Sequence, residues 1–139
     1  MISYYGALLE SLQEDWGKAF ALMQKFDIDK GIVDVQATIS HLRKVPGCSG
    51  KVGTVGYCLG GQVAFLSATR TDSDASVGYY GVMIDTMLDE AAAITKPLAL
   101  HIPVADHFVS PEAQAAIHAA LDPKPLVTLW DYPGLDHGF

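Results

Sequence analysis

Positive charge is scarce in this 139-residue chain. Nine Lys and Arg stand against sixteen Asp and Glu, a net charge of -7, and no basic cluster interrupts that balance. The expectation is therefore no polyanionic partner such as nucleic acid. Long apolar runs are missing too, since none approaches the roughly 18 residues of a bilayer-spanning helix. Cysteine is limited to Cys48 and Cys58. Met1-Ile2-Ser3-Tyr4 has neither the basic start nor the apolar core of a secretory leader, so reduced thiols in a cytoplasm are expected, not a disulfide framework. There is no internal repeat, low-complexity tract or flexible linker, and the length suits a single domain over residues 1–139. No Gly-x-Gly-x-x-Gly opens a helix, which argues against dinucleotide binding. A metal set from His101, Asp106 and His107 has loose spacing and no second cluster, and no metal is expected.

What is present is apolar. Hydrophobic residues make up 50% and charged residues 18% of the chain, which favours a sheet buried on both faces. Residues 1–30 have helical spacing, with Tyr5, Leu8, Leu9 and Leu12, then Trp16, Phe20, Met23 and Phe26, and Gly17 as a break. Asp29 is placed to cap a further helix whose Ile32, Val35, Ile39 and Leu42 share one face, ended by the turn Pro46-Gly47-Cys48-Ser49-Gly50. Four apolar runs follow at 52–57, 76–81, 97–102 and 126–132. Helical stretches at 61–70, near 85–95 and at 110–121 separate them, the last with Ser110 as N-cap and Pro111 at its first position. This alternation predicts an α/β fold with a parallel sheet of about four strands flanked by helices.

Gly56-Tyr57-Cys58-Leu59-Gly60-Gly61 lies between the first run and the helix after it. Gly-x-Cys-x-Gly is the cysteine form of the nucleophile elbow, in which a sharp strand-to-helix turn lifts the nucleophile above the sheet. Glycines two positions to either side are expected because a Cβ there would crowd the turn. The site of such a sheet lies at the carboxyl ends of its strands. That places Cys58, Asp106 (after the third run) and His137 (after the fourth) on one rim. A thiol becomes a nucleophile on losing its proton, an imidazole can take that proton, and a carboxylate behind the ring fixes its tautomer. The order Cys, Asp, His is that of nucleophile, acid and base in the α/β-hydrolases. The N–H of Leu59 is a candidate oxyanion donor. Tyr79 and Tyr80 end a strand on this rim, one lining the site and its neighbour packing into the core, and His107 is a further lining candidate. Cys48 reads as a plain surface thiol, and His101 and His118 as structural.

Gly50 through Gly61, Val77-Gly78-Tyr79-Tyr80-Gly81, Asp106-His107-Phe108-Val109 and Asp136-His137-Gly138-Phe139 together resemble the dienelactone hydrolase (carboxymethylenebutenolidase) family over nearly the whole chain. The resemblance implies the C-terminal part of an α/β-hydrolase fold, with Cys58 as nucleophile, Asp106 as acid and His137 as base. It also implies a cofactor-free hydrolase that opens a small enol-lactone, or a related ester, by acyl transfer through the cysteine.

Family members are longer and build a larger sheet. The N-terminal part that this chain does not match would carry the second oxyanion donor, a thiol-activating glutamate and an arginine for the substrate carboxylate. A second arginine would follow the base. The alternative expectation is thus an inactive fragment or remnant, at most a non-catalytic interaction module. The whole family protein is expected to be monomeric, and a chain this short to self-associate through an exposed strand edge and apolar face.

Overall fold

The computed structural model describes residues 15, 17, 18, 21, 22 and 25–139. The chain divides into two compact units, residues 1–31 and 32–139. In the first, Asp15, Gly17, Lys18, Ala21 and Leu22 are helical and a turn follows at Lys25, whose N–H donates to Leu22 O. Gly17 is therefore itself helical, and among the described residues the break comes at residues 25–27. Tyr5, Leu8, Leu9, Leu12, Trp16, Phe20 and Met23 lie outside the described residues. Helix α1 (Ile28–Leu42) begins one residue before the expected cap. The capping carboxylate is Asp27, which accepts from Lys30 N at 3.2 Å, while Asp29 lies in the first turn. Ile32 and Ile39 are buried, but Leu42 at the C-terminal end of the stripe is exposed.

The second unit continues with β1 (Gly53–Tyr57), α2 (Leu59–Arg70), β2 (Ala75–Tyr79), a 3-10 helix (Ile84–Ala93), β3 (Leu98–Pro103), α3 (Pro111–Leu121) and β4 (Val127–Tyr132). The strands are parallel and pair in chain order, β1-β2-β3-β4, with Val55 opposite Val77 and Leu100 opposite Leu129. Ser110 caps α3 by accepting from Ala113 N, with Pro111 following as expected. The stretch near 85–95 differs from the α-helix its position suggested. Ile84 and Ala91 are its buried residues, and Ala91 and the following Ile94 are three positions apart, a spacing that the tighter helix brings to one side.

Right-handed crossovers that always step in the same direction lay every connecting helix on one face of the sheet. Side-chain burial follows this rule. Ser76, Leu98, Leu100 and Ile102 point into a core shared with Phe65 and Leu66 of α2 and Ile117 and Leu121 of α3. The alternate residues Val55, Tyr57 and Trp130 are 61%, 55% and 54% exposed. The expectation of a sheet buried on both faces is thereby corrected, because a high apolar fraction does not say how many layers the chain has to cover it.

Two contacts fix how the layers approach. A Cβ on Gly61 would lie 2.6 Å from Gly81 Cα and 2.9 Å from Tyr79 O, so the start of α2 sits directly on the end of β2. At the opposite end of the strands, Asp74 accepts from Val52 N (2.9 Å), Lys51 Nζ (3.0 Å) and Arg43 Nη1 (2.6 Å). These bonds, led by that from Val52, hold its carboxyl far below the usual range and tie α1 to the amino ends of β1 and β2.

Candidate active site

The turn between β1 and α2 puts Cys58 at φ 56° and ψ -118°, a conformation that a side-chain-bearing residue rarely adopts. It is held there from both sides. Cys58 N donates to Tyr79 O (3.1 Å), and Cys58 O accepts from Gly61 N (2.9 Å) and Val82 N (3.3 Å). A Cβ on Gly56 would fall 1.7 Å from Gly60 O, which explains the glycine two residues before Cys58. The glycine after it has a different reason. A Cβ on Gly60 would meet nothing within 4 Å, so the crowding is one-sided, with the Gly60 carbonyl occupying the space that a Gly56 side chain would need.

Asp106 sits on the loop from β3 to α3 and His137 on the loop after β4. His137 Nδ1 is 2.9 Å from Asp106 Oδ2 and 3.1 Å from Oδ1, and the two side chains are 10% and 1% exposed. A carboxylate only accepts, so the ring donates its Nδ1–H, and in the neutral imidazole that leaves Nε2 as the acceptor. Nε2 is buried and has no hydrogen-bond partner among the described residues, the Cys58 thiol included. The loops also meet through Asp136, whose Oδ1 accepts from His107 N (3.0 Å), His107 Nδ1 (2.7 Å) and His137 N (2.7 Å). These bonds, led by that from the His107 ring, hold the Asp136 carboxyl down at about 2.

Aromatic rings wall the histidine. Phe108 lies 4.6 Å and Tyr80 4.9 Å from the His137 ring, both edge-on. Tyr80 has φ 39° and follows directly on the residue whose carbonyl holds Cys58, so one short turn touches both the Cys58 backbone and the imidazole. Tyr79 does not pack into the core. It lies on the open sheet face, stacked on His101 at 4.2 Å and on Tyr57 at 5.2 Å. His107 is exposed and engaged with Asp136. Leu59 opens α2, so its N–H is among the first-turn donors that have no acceptor within the helix.

His101 and His118 belong to the framework. His101 Nδ1 meets Tyr132 Oη at 2.8 Å, and burial lowers its pKa. His118 joins α3 to β4 through Asp131 (3.0 Å) and also meets Asp122 (3.1 Å) at the end of its own helix. Burial lowers its pKa, but those two bonds outweigh it and leave the net shift upward. Asp106, His107 and Asp136 bring donor atoms within 4.8 Å of one another, but each already serves the contacts above. A small apolar cleft lies behind the Asp106 loop, lined by Tyr80, Leu100, Ile102, Val109 and Ile117, and does not reach Cys58. Among the described residues no helix is long and apolar enough to cross a membrane.

Sequence reasoning gave no role to Asp136 or to Gln114, whose amide donates to Pro103 O and Val109 O. Gln114 did leave a signal: it shares the inward stripe of α3 with Ile117 and Leu121, and a polar residue in such a stripe must find partners.

Known proteins resemble this chain in sequence and fold. A relative from Azospirillum brasilense is 42% identical over 135 residues, covering 95% of this chain and 57% of its own length. A carboxymethylenebutenolidase of Pseudomonas putida is 38% identical over 122 residues, 88% of this chain and 52% of the relative. The chain thus spans about half the length of these relatives. A Pyrococcus furiosus esterase structure superposes with a TM-score of 0.68 at 21% identity, over 79% of this chain and 55% of that one. A Klebsiella pneumoniae structure does so with a TM-score of 0.76 at 20% identity, over 84% and 53%. At such identities the likeness establishes the α/β-hydrolase fold. The dienelactone hydrolase family model matches residues 4–139, and the chain belongs to that family.

Proposed function

We propose that residues 1–139 form one partial α/β-hydrolase domain that bears the nucleophile, acid and base of a cysteine hydrolase acting on an enol-lactone or related ester. One observation carries the reading: a buried imidazole fixed by a carboxylate on Nδ1 and unpartnered at Nε2, on the same sheet rim as a cysteine in an elbow turn. The relatives named carboxymethylenebutenolidase supply the substrate class.

His137 Nε2 takes the thiol proton, and the Cys58 sulfur attacks the ring carbonyl carbon. The tetrahedral oxyanion faces the Leu59 N–H at the positive end of α2. Collapse of that intermediate breaks the ring C–O bond, and the departing enolate oxygen takes the proton from His137. The thioester is then attacked by a water whose proton passes to Nε2. Release of the carboxylate returns that proton to the sulfur. Asp106 stabilises the imidazolium at each stage. Tyr80, and more distantly Tyr79 and His107, border the space where substrate would lie. No metal or organic cofactor enters any step, and the setting is a cytoplasm.

The test is turnover of an enol-lactone or of nitrophenyl acetate by the wild-type chain and by Cys58→Ala. Unchanged turnover in the variant would sink the reading.

The open sheet face favours a second reading, a non-catalytic remnant or interaction module. An exposed apolar face invites self-association. A monodisperse monomer with clear lactonase activity would refute this second reading.

A further inference from the structure

The acid-bearing loop is closed by a residue that belongs to neither the loop nor the rim. Gln114 lies in the first turns of α3, buried, and its Nε2 is 3.2 Å from Pro103 O and 3.1 Å from Val109 O. Those carbonyls flank residues 104–108, the segment that carries Asp106. Two acceptors at hydrogen-bond distance can be satisfied only by the NH₂ end of the amide, so the orientation of the side chain follows from its partners. One planar group therefore sets the width of the loop from the inside.

The outside of the loop is held by the base side of the sheet. Val104 N donates to Tyr132 O (3.0 Å) and Ala105 N to Leu135 O (3.0 Å). Phe108 N donates to Asp106 Oδ1 (2.8 Å), the oxygen 3.1 Å from His137 Nδ1. With the outer bonds fixed to β4 and the loop after it, the position of Asp106 relative to His137 depends on where the inner ends are held. We infer that Gln114 is a positioning residue: its amide clamps the two ends of the 104–108 loop and so sets the Asp106–His137 contact. The inference rests on the reading of Asp106 as the acid partner of His137.

The measurement is the Nδ1–H proton that His137 donates in its hydrogen bond to Asp106, observed by NMR in the full chain, alongside kcat and KM for nitrophenyl acetate. Gln114→Met keeps the length of the side chain and removes both donors. The expected result is a folded protein whose Nδ1–H signal is lost or moved upfield, with kcat down by about 10²-fold and KM little changed, as for a catalytic group displaced by about 1 Å. Ile117→Val, a buried change on the same helix, should leave the signal in place. A folded Gln114→Met with the wild-type signal and kcat overturns the inference. If Gln114→Met does not fold, Gln114→Asn keeps the amide one methylene short of its reach; a wild-type signal in that variant overturns it equally. Because the signal does not require turnover, full activity in Cys58→Ala would sink the proposed function while leaving the Gln114 result readable.

Discussion

His137 Nδ1 and the Asp106 carboxylate meet at 2.9 and 3.1 Å across loops from two different strands, with both side chains nearly sealed from water. A contact between loops that far apart in the chain, at low exposure, has to be built by the fold. It divides the imidazole into a fixed side and a working side. Asp106→Asn would keep the shape but remove the charge, and would allow the amide to donate to Nδ1 and so favour the wrong tautomer. The expected outcome in steady-state turnover is a fall in kcat of about 10³–10⁴-fold with little change in KM.

The two elbow glycines should respond oppositely to the same substitution. Gly56→Ala drives a Cβ to 1.7 Å from the Gly60 carbonyl, which only a shift of backbone can relieve. A loss of at least about 3 kcal/mol, or failure to fold, is expected. Gly60→Ala meets open space inside α2 and should be neutral or stabilising by up to about 1 kcal/mol. Thermal and urea melts of the two variants decide the matter.

Asp136 supplies a pH signature. Its carboxyl is lowered from 3.8 to about 2 by the His107 ring, followed by the N–H groups of His137 and His107. The unfolded chain then binds the proton more readily than the folded one, so the stabilisation is present above pH 3.8 and disappears as pH falls through about 2. Asp136→Asn should flatten the dependence of the urea midpoint on pH within that window and leave the remainder of the profile unchanged. A variant with the same slope as wild type would contradict this.

Local chemistry made much of this legible in advance. The four strands fall within one or two residues of their apolar runs because parallel strands need such runs. The elbow could be read because Gly56 has no substitute where the Gly60 carbonyl passes. Asp106 and His137 could be grouped because parallel topology alone puts their loops on one rim. Other features depend on neighbours that no short window contains. The open sheet face follows from crossovers that all step one way, and it carries Tyr79 out to His101 instead of into the core. The 3-10 winding of Ile84–Ala93 differs from an α-helix by less than a residue per turn, and the cap at Asp27 lies two residues before Asp29. Gln114 showed itself only as a polar residue on an apolar stripe, and its two carbonyls lie eleven and five residues back along the chain.

Covalent capture tests the central claim most directly. The chain is mixed with nitrophenyl acetate, quenched in acid within the first turnover, digested and weighed. The account predicts one acetyl group on the peptide that contains Cys58, absent from Cys58→Ala and accumulating more slowly in Asp106→Asn. Hydrolysis that proceeds with no label on that peptide, or with the label on Cys48, would contradict it.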